Sequence, residues 1–115
     1  MTKEVYRLTN IAPFKFDSRF VQQIRAAAGS VMDNIAEGFE RDGNKEFINF
    51  LYIAKGSCGE VRSQLYRALD AEFISQDIFE ELYNADMKLS ASIAKFITSI
   101  KSSDITGQKN KKQES

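Results

Sequence analysis

A chain of 115 residues and 13.0 kDa holds one domain. Sixteen Lys and Arg offset sixteen Asp and Glu, a formal charge of zero that argues against a grip on nucleic acid by bulk positive charge. With no histidine and one cysteine, Cys58, the chain lacks the commonest general base and metal ligand and forms no internal disulfide.

One proline, six glycines and no tryptophan suit long helices better than sheets. The first helix is short, about 3–9. It ends before Asn10-Ile11-Ala12-Pro13, where the proline disfavours helix at Ala12. The second spans about 18–39, with Asp17 and Ser18 as candidate N-caps and a stripe of Phe20, Ile24, Ala27, Val31, Ile35 and Phe39. A break follows between Gly38 and Gly43. The third helix, about 44–71, carries Phe47, Leu51, Ala54, Cys58, Val61, Leu65 and Ala68, alternating steps of four and three as the seam of a bundle does. After a break at 71–75, marked by neither Gly nor Pro, Ser75 caps a fourth helix reaching about Ser102. Its expected stripe is Ile78, Leu82, Ala85, Leu89, Ile93, Phe96 and Ile100. No long segment alternates with period two. The apolar pattern stops at 102, and residues 103–115 read as a disordered polar and basic tail. Residues 1–102 are therefore one all-α, up-down four-helix bundle.

The third helix is too apolar for one buried face. Phe47, Ile48, Phe50, Tyr52 and Ile53, with Leu51 and Ala54, point in almost every direction around its axis. Three long helices cannot easily enclose it, so these residues are candidates for a subunit interface. Gly29, Gly56 and Gly59 stand inside helices, where glycine costs ~1 kcal/mol relative to alanine. Close approach of a neighbouring helix is the expected compensation.

Catalytic templates each fail on a missing part. A carboxylate-bridged di-metal bundle needs Glu-x-x-His pairs, and there is no histidine. Cys58 falls on the apolar seam with no basic partner. An enzyme using Glu37 or Glu60 is the least favoured reading, and no cofactor or metal is expected. No apolar run approaches the ~18–20 residues of a membrane span. Met1-Thr2-Lys3-Glu4 does not open a signal peptide, so the expected location is the cytoplasm.

Charge is unevenly placed. Lys3, Arg7, Lys15, Arg19 and Arg25 give residues 1–30 a surplus of three cations, whereas residues 72–87 hold Glu72, Asp77, Glu80, Glu81 and Asp86 with no cation. The basic group is a candidate contact surface for RNA or DNA, and repetition in an oligomer strengthens a modest charge per subunit.

One stretch looks specified rather than filled: Asn34-Ile35-Ala36-Glu37-Gly38-Phe39, then Arg41 and Lys45-Glu46-Phe47. Asn34, Glu37, Gly38, Arg41 and Glu46 either fix the turn between helices or line a partner surface. Glu37 is expected to accept from Arg41 or from free N–H groups of the next helix. With Gln23-Ile24-Arg25-Ala26-Ala27, Phe50-Leu51-Tyr52-Ile53-Ala54, Gly56-Ser57, Glu60 and Gln64-Leu65, the chain resembles the four-helix bundle proteins encoded in intervening sequences of bacterial large-subunit ribosomal RNA genes, also called the S23 ribosomal protein family. It departs from the usual pattern at Met32, Asp33, Glu40 and Cys58. The resemblance implies a homopentameric ring of four-helix subunits, with no assigned biochemical role. The expected function is a non-enzymatic self-assembling protein. The alternative is an RNA- or DNA-binding accessory acting through the repeated basic face.

Overall fold

The computed structural model describes residues 1–11 and 14–114, with side chains described as far as 103. Ala12 and Pro13 of the expected first break lie outside them. Four α-helices follow in order: α1 (Thr2–Thr9), α2 (Ser18–Phe39), α3 (Asn44–Asp70) and α4 (Gln76–Glu114), with one 3-10 turn at Phe14–Phe16. There is no strand among the described residues. Among the described residues, no helix is long and apolar enough to cross a membrane.

Each boundary has a local cause. Asp17 Oδ1 accepts from the Phe20 N–H at 3.1 Å and caps α2. Gly43, at φ 93°, makes the left-handed turn that starts α3. Ser75 Oγ accepts from the Ile78 N–H at 3.2 Å and caps α4. The exit from α3 is a Schellman turn: the Phe73 N–H reaches Ala68 O at 2.9 Å and the Glu72 N–H reaches Leu69 O at 3.0 Å. Glu72 takes the left-handed position at φ 61° where glycine is usual. That is why no glycine announced this break.

α3 is the spine. Its expected seam is buried from Leu51 to Ala68, with Phe47 half-buried, and α2 and α4 both lie against it rather than chiefly on each other. α1 packs beside the N-terminal half of α2. The molecule measures 65 × 23 × 17 Å. Its core falls into two clusters. One joins Val5, Leu8, Phe14, Phe20, Ile24, Val61, Leu65, Ile74, Phe79 and Leu82; the other joins Val31, Ile48, Leu51, Cys58, Ile93, Ile97 and Ile100.

One expectation is corrected. The buried face of α4 is Phe79, Leu82, Asp86, Ser90, Ile93, Ile97 and Ile100, so Ala85 and Phe96 fall outside it. Two polar residues on the true stripe disguise its phase, and a more uniformly apolar neighbouring stripe reads better in sequence. The backbone of α4 runs as helix to Glu114. Polarity there removes a packing face but brings no proline, and Lys, Gln and Glu favour helix.

A glycine at the left-handed position should relieve backbone strain. Glu72→Gly is expected to stabilise the bundle by about 1 kcal/mol, seen as a midpoint several degrees higher in thermal unfolding followed by circular dichroism.

Candidate assembly interface

α2 carries a second stripe beside its core face: Val21, Arg25, Ala28, Met32, Ile35 and Phe39, in steps of four and three. α1 engages its first half. Arg25 Nε donates to Thr9 Oγ1 at 2.8 Å and its Nη2 to Asn10 Oδ1 at 3.1 Å, while its guanidinium lies 4.6 Å from the Tyr6 ring centre. The eight residues of α1 reach about 12 Å along an α2 of about 33 Å. In the second half of the stripe Ile35 packs on the chain's own core, whereas Met32 and Phe39 are 54% and 63% exposed.

At that end Phe39, Phe47 and Phe96 form an aromatic trio. Ring centres are 4.8 Å apart for Phe39–Phe47, 5.4 Å for Phe47–Phe96 and 6.4 Å for Phe39–Phe96. Gly38 makes the trio possible. A Cβ there would stand 2.9 Å from Phe47 Cδ1 and 3.1 Å from Phe50 Cβ, so only glycine lets α3 come this near. Arg41 closes the turn: Nη2 donates to Glu37 Oε1 at 2.6 Å, and the guanidinium sits 5.2 Å from the Phe50 ring centre. Of the two acceptor roles expected for Glu37, the one toward Arg41 is formed.

Asn34 joins a different contact. Its Nδ2 donates to Ser30 O at 2.8 Å and Ser30 Oγ at 2.9 Å, and Ser30 Oγ shares a 2.8 Å hydrogen bond with Ser57 Oγ across the α2–α3 seam. Glu46 is exposed in the first turn of α3, apart from this cluster. The proposed motif is therefore two devices, a turn clamp at Glu37–Gly38–Arg41 and a polar bridge at Ser30–Asn34–Ser57.

The apolar ring around α3 divides. Ile48 is buried with Ile97 and Ile100 in the chain's own core, which removes it as an interface candidate. Phe47 and Phe50 are half-buried over Gly38. Tyr52 and Ile53 remain 46% and 51% exposed. The close-packing role expected of three glycines is also corrected. Among the described residues, no neighbouring helix comes within 4 Å of a Cβ at Gly29 or Gly56, and at Gly59 the Arg62 guanidinium does, at 3.6 Å. Gly29 lies outside the helix–helix seam and Gly56 is exposed; Gly59 gives room for Arg62 to lie along α3.

Arg62 leads to a contact that sequence reading missed. Its Nη1 donates to Asp86 Oδ1 at 2.6 Å, and Asp86 is wholly buried with no partner for Oδ2. Burial pushes Asp86 above its ordinary value, and Arg62 only partly opposes this. Burial, reinforced by the Asp86 charge, pushes the Cys58 thiol up to about 11, so it stays protonated at neutral pH. A polar residue falling in register between Leu82 and Ile93 was the available signal. Among the basic candidates, Lys3, Arg7, Lys15 and Arg19 are exposed, whereas Arg25 is committed to holding α1. Among the described residues, no group of three or more metal-ligating side chains is gathered.

Comparison with known proteins supports the fold. A family model described as 23S rRNA-intervening sequence protein matches residues 1–95. A crystal structure of a protein of unknown function from the S23 ribosomal protein family of Bacteroides thetaiotaomicron superposes with a TM-score of 0.71 at 23% identity, covering 84% of this chain and 94% of that one. A search of curated proteins finds no match.

Two substitutions test these contacts. Gly38→Ala is expected to destabilise by about 1–2 kcal/mol in urea unfolding, because overpacking against Phe47 and Phe50 exceeds the gain in helix propensity. Arg62→Ala leaves a buried carboxylate uncompensated and should cost about 3 kcal/mol at pH 7. Since Asp86 is raised in the folded state, folding favours its protonated form. The stability linked to it is full below the ordinary value of 3.8 and is lost as pH rises through the raised value. The Arg62→Ala deficit should therefore shrink as unfolding is measured at falling pH, from 7 towards that value.

Proposed function

The chain belongs to the family of 23S rRNA-intervening sequence proteins, and on that footing we propose that it is a non-enzymatic, self-assembling scaffold whose subunits meet through the uncovered half of the α2 stripe. The carrying observation is the exposure of Met32 and Phe39, with Phe96, itself 41% exposed, beside Phe39. Side chains of this size left bare in one region favour burial against another surface, at roughly 25 cal/mol per Å² removed from water. The second exposed side of α3, at Tyr52 and Ile53, offers a further contact. A closed ring requires two different patches on each subunit, and these two patches suit that need. Five subunits is the number implied by the resemblance to the S23 proteins.

The non-enzymatic reading rests on chemistry that is committed elsewhere. Glu37 is paired with Arg41, and the only thiol is buried and protonated.

Light scattering coupled to size exclusion tests assembly. The parent chain is expected to elute as an oligomer at micromolar concentration, with a mass five times that of the subunit if the ring is pentameric. Phe39→Glu combined with Ile53→Glu should give a monomer that keeps its helical circular dichroism. A parent chain that is monomeric under these conditions overturns the reading.

A further inference from the structure

The first turn of α2 and the last turn of α3 border a cleft of about 340 Å³, lined by Asp17, Arg19, Phe20, Gln23 and Arg67. It lies at the opposite end of α2 from the Phe39 trio. Phe20 forms its floor, buried and stacked on Phe14 at 5.2 Å between ring centres, with Phe73 at 5.9 Å. The Arg67 guanidinium rests on this rigid floor, 4.8 Å from the Phe20 ring centre. Its Nη1 donates to Gln23 Oε1 at 3.4 Å. That long contact uses one of five N–H donors and leaves the Gln23 amide N–H₂ free of this bond.

Among the described residues, no acid forms an ion pair with either cation. Among the described residues, the ion pairs are Met1–Glu4, Glu37–Arg41 and Arg62–Asp86, so neither Arg19 nor Arg67 has a carboxylate within pairing distance. The one acid in the cleft, Asp17, is engaged with the Phe20 N–H as the α2 cap. Two guanidiniums against one committed carboxylate make a local positive field in a chain whose total charge is zero. Each guanidinium fork matches two acceptor oxygens, and two forks at one cleft suit an anion with three or more. We infer that this cleft binds a phosphate group, held between Arg19 and Arg67 with the Gln23 amide as a neutral donor. The inference is independent of the assembly reading, because the cleft lies within one chain and away from the proposed contact.

Amide chemical shifts of the full-length chain, titrated with inorganic phosphate against chloride at equal ionic strength, test it. Saturable shifts are expected at Arg19, Phe20, Gln23 and Arg67. Arg67→Ala should weaken the phosphate response about tenfold or more, the loss of one charge-assisted fork. Arg41→Ala, which removes a guanidinium at the far end, should titrate as the parent does. If Arg67→Ala loses its helical circular dichroism, Arg19→Ala replaces it with the same expectation. Absence of a saturable phosphate response, or one equalled by chloride or lost equally in Arg41→Ala, overturns the inference. Uridine 5′-monophosphate and an eight-nucleotide uridine RNA then separate the sources. Tighter binding of the RNA with the same Arg67 dependence identifies the phosphodiester backbone, and tighter binding of the monophosphate identifies a terminal phosphate.

Discussion

Everything in this bundle depends on one buried stripe. The seam of α3, from Leu51 through Ala54, Cys58, Val61 and Leu65 to Ala68, is almost entirely out of water. α2 and α4 both take their places from it. Its small members matter as much as its large ones. Ala54, Cys58 and Ala68 are fully buried and leave room for two neighbours to approach the same helix. An alanine enlarged there would push one of them away, because packed cores absorb little added volume. The connections then follow from α3: Gly43 and Gly38 fold α2 back at one end, and the Schellman turn at Glu72 folds α4 back at the other.

Across this apolar spine run two polar ties, and they set register where hydrophobic contact alone would not. Ser30 and Ser57 join α2 to α3, and Arg62 and Asp86 join α3 to α4. Both are near the middle of the molecule, between the two core clusters. Buried polar groups contribute little net stability when paired and cost much when one partner is lost. A helix sliding by one turn along α3 would separate these pairs while leaving most apolar contacts available. The ties therefore penalise the misaligned bundle more than they stabilise the aligned one. The unpartnered Oδ2 of Asp86 marks where this specificity has its cost.

The legible parts of the fold were those where pattern and burial agree. The α3 seam and the Ser75 cap followed from residue type and spacing, which also narrowed the α2 cap to Asp17 or Ser18 and the partner of Glu37 to Arg41 or free N–H groups of the next helix. The phase of α4 did not, because Asp86 and Ser90 occupy buried positions that a periodicity search reserves for apolar residues. Gly38 was singled out, but its role as the point of close approach was assigned to Gly29, Gly56 and Gly59 instead. Glycine in mid-helix is conspicuous in sequence, yet only the neighbouring helix determines whether its missing Cβ is used. Arg25 shows the same limit for charge. It counted toward a basic face until its hydrogen bonds to Thr9 and Asn10 placed it in the α1 clasp. The cleft was half visible, through Arg19, while Arg67 comes from a helix 48 positions further along the sequence.

These observations bear on why a neutral protein of this size has the surface it has. A domain of ~100 residues buries about two-thirds of its unfolded surface, so little apolar area should be left over. Here Met32, Phe39, Tyr52, Ile53 and Phe96 remain substantially exposed. Tyr6, Ile11, Phe16, Tyr66 and Met87 are exposed as well, as single surface hydrophobes commonly are; what sets Phe39 and Phe96 apart is that they adjoin each other, with ring centres 6.4 Å apart. The zero net charge has a matching consequence, since a subunit with little self-repulsion pays a smaller electrostatic penalty on association than a strongly cationic one. The proposed anion site at Arg19 and Arg67 needs no surplus of cations over the whole chain and so leaves that neutrality intact. On the two proposals made above, bulk charge would serve phosphate binding and oppose assembly at once, whereas two arginines beside Phe20, at the other end of α2 from Phe39, would separate the two demands.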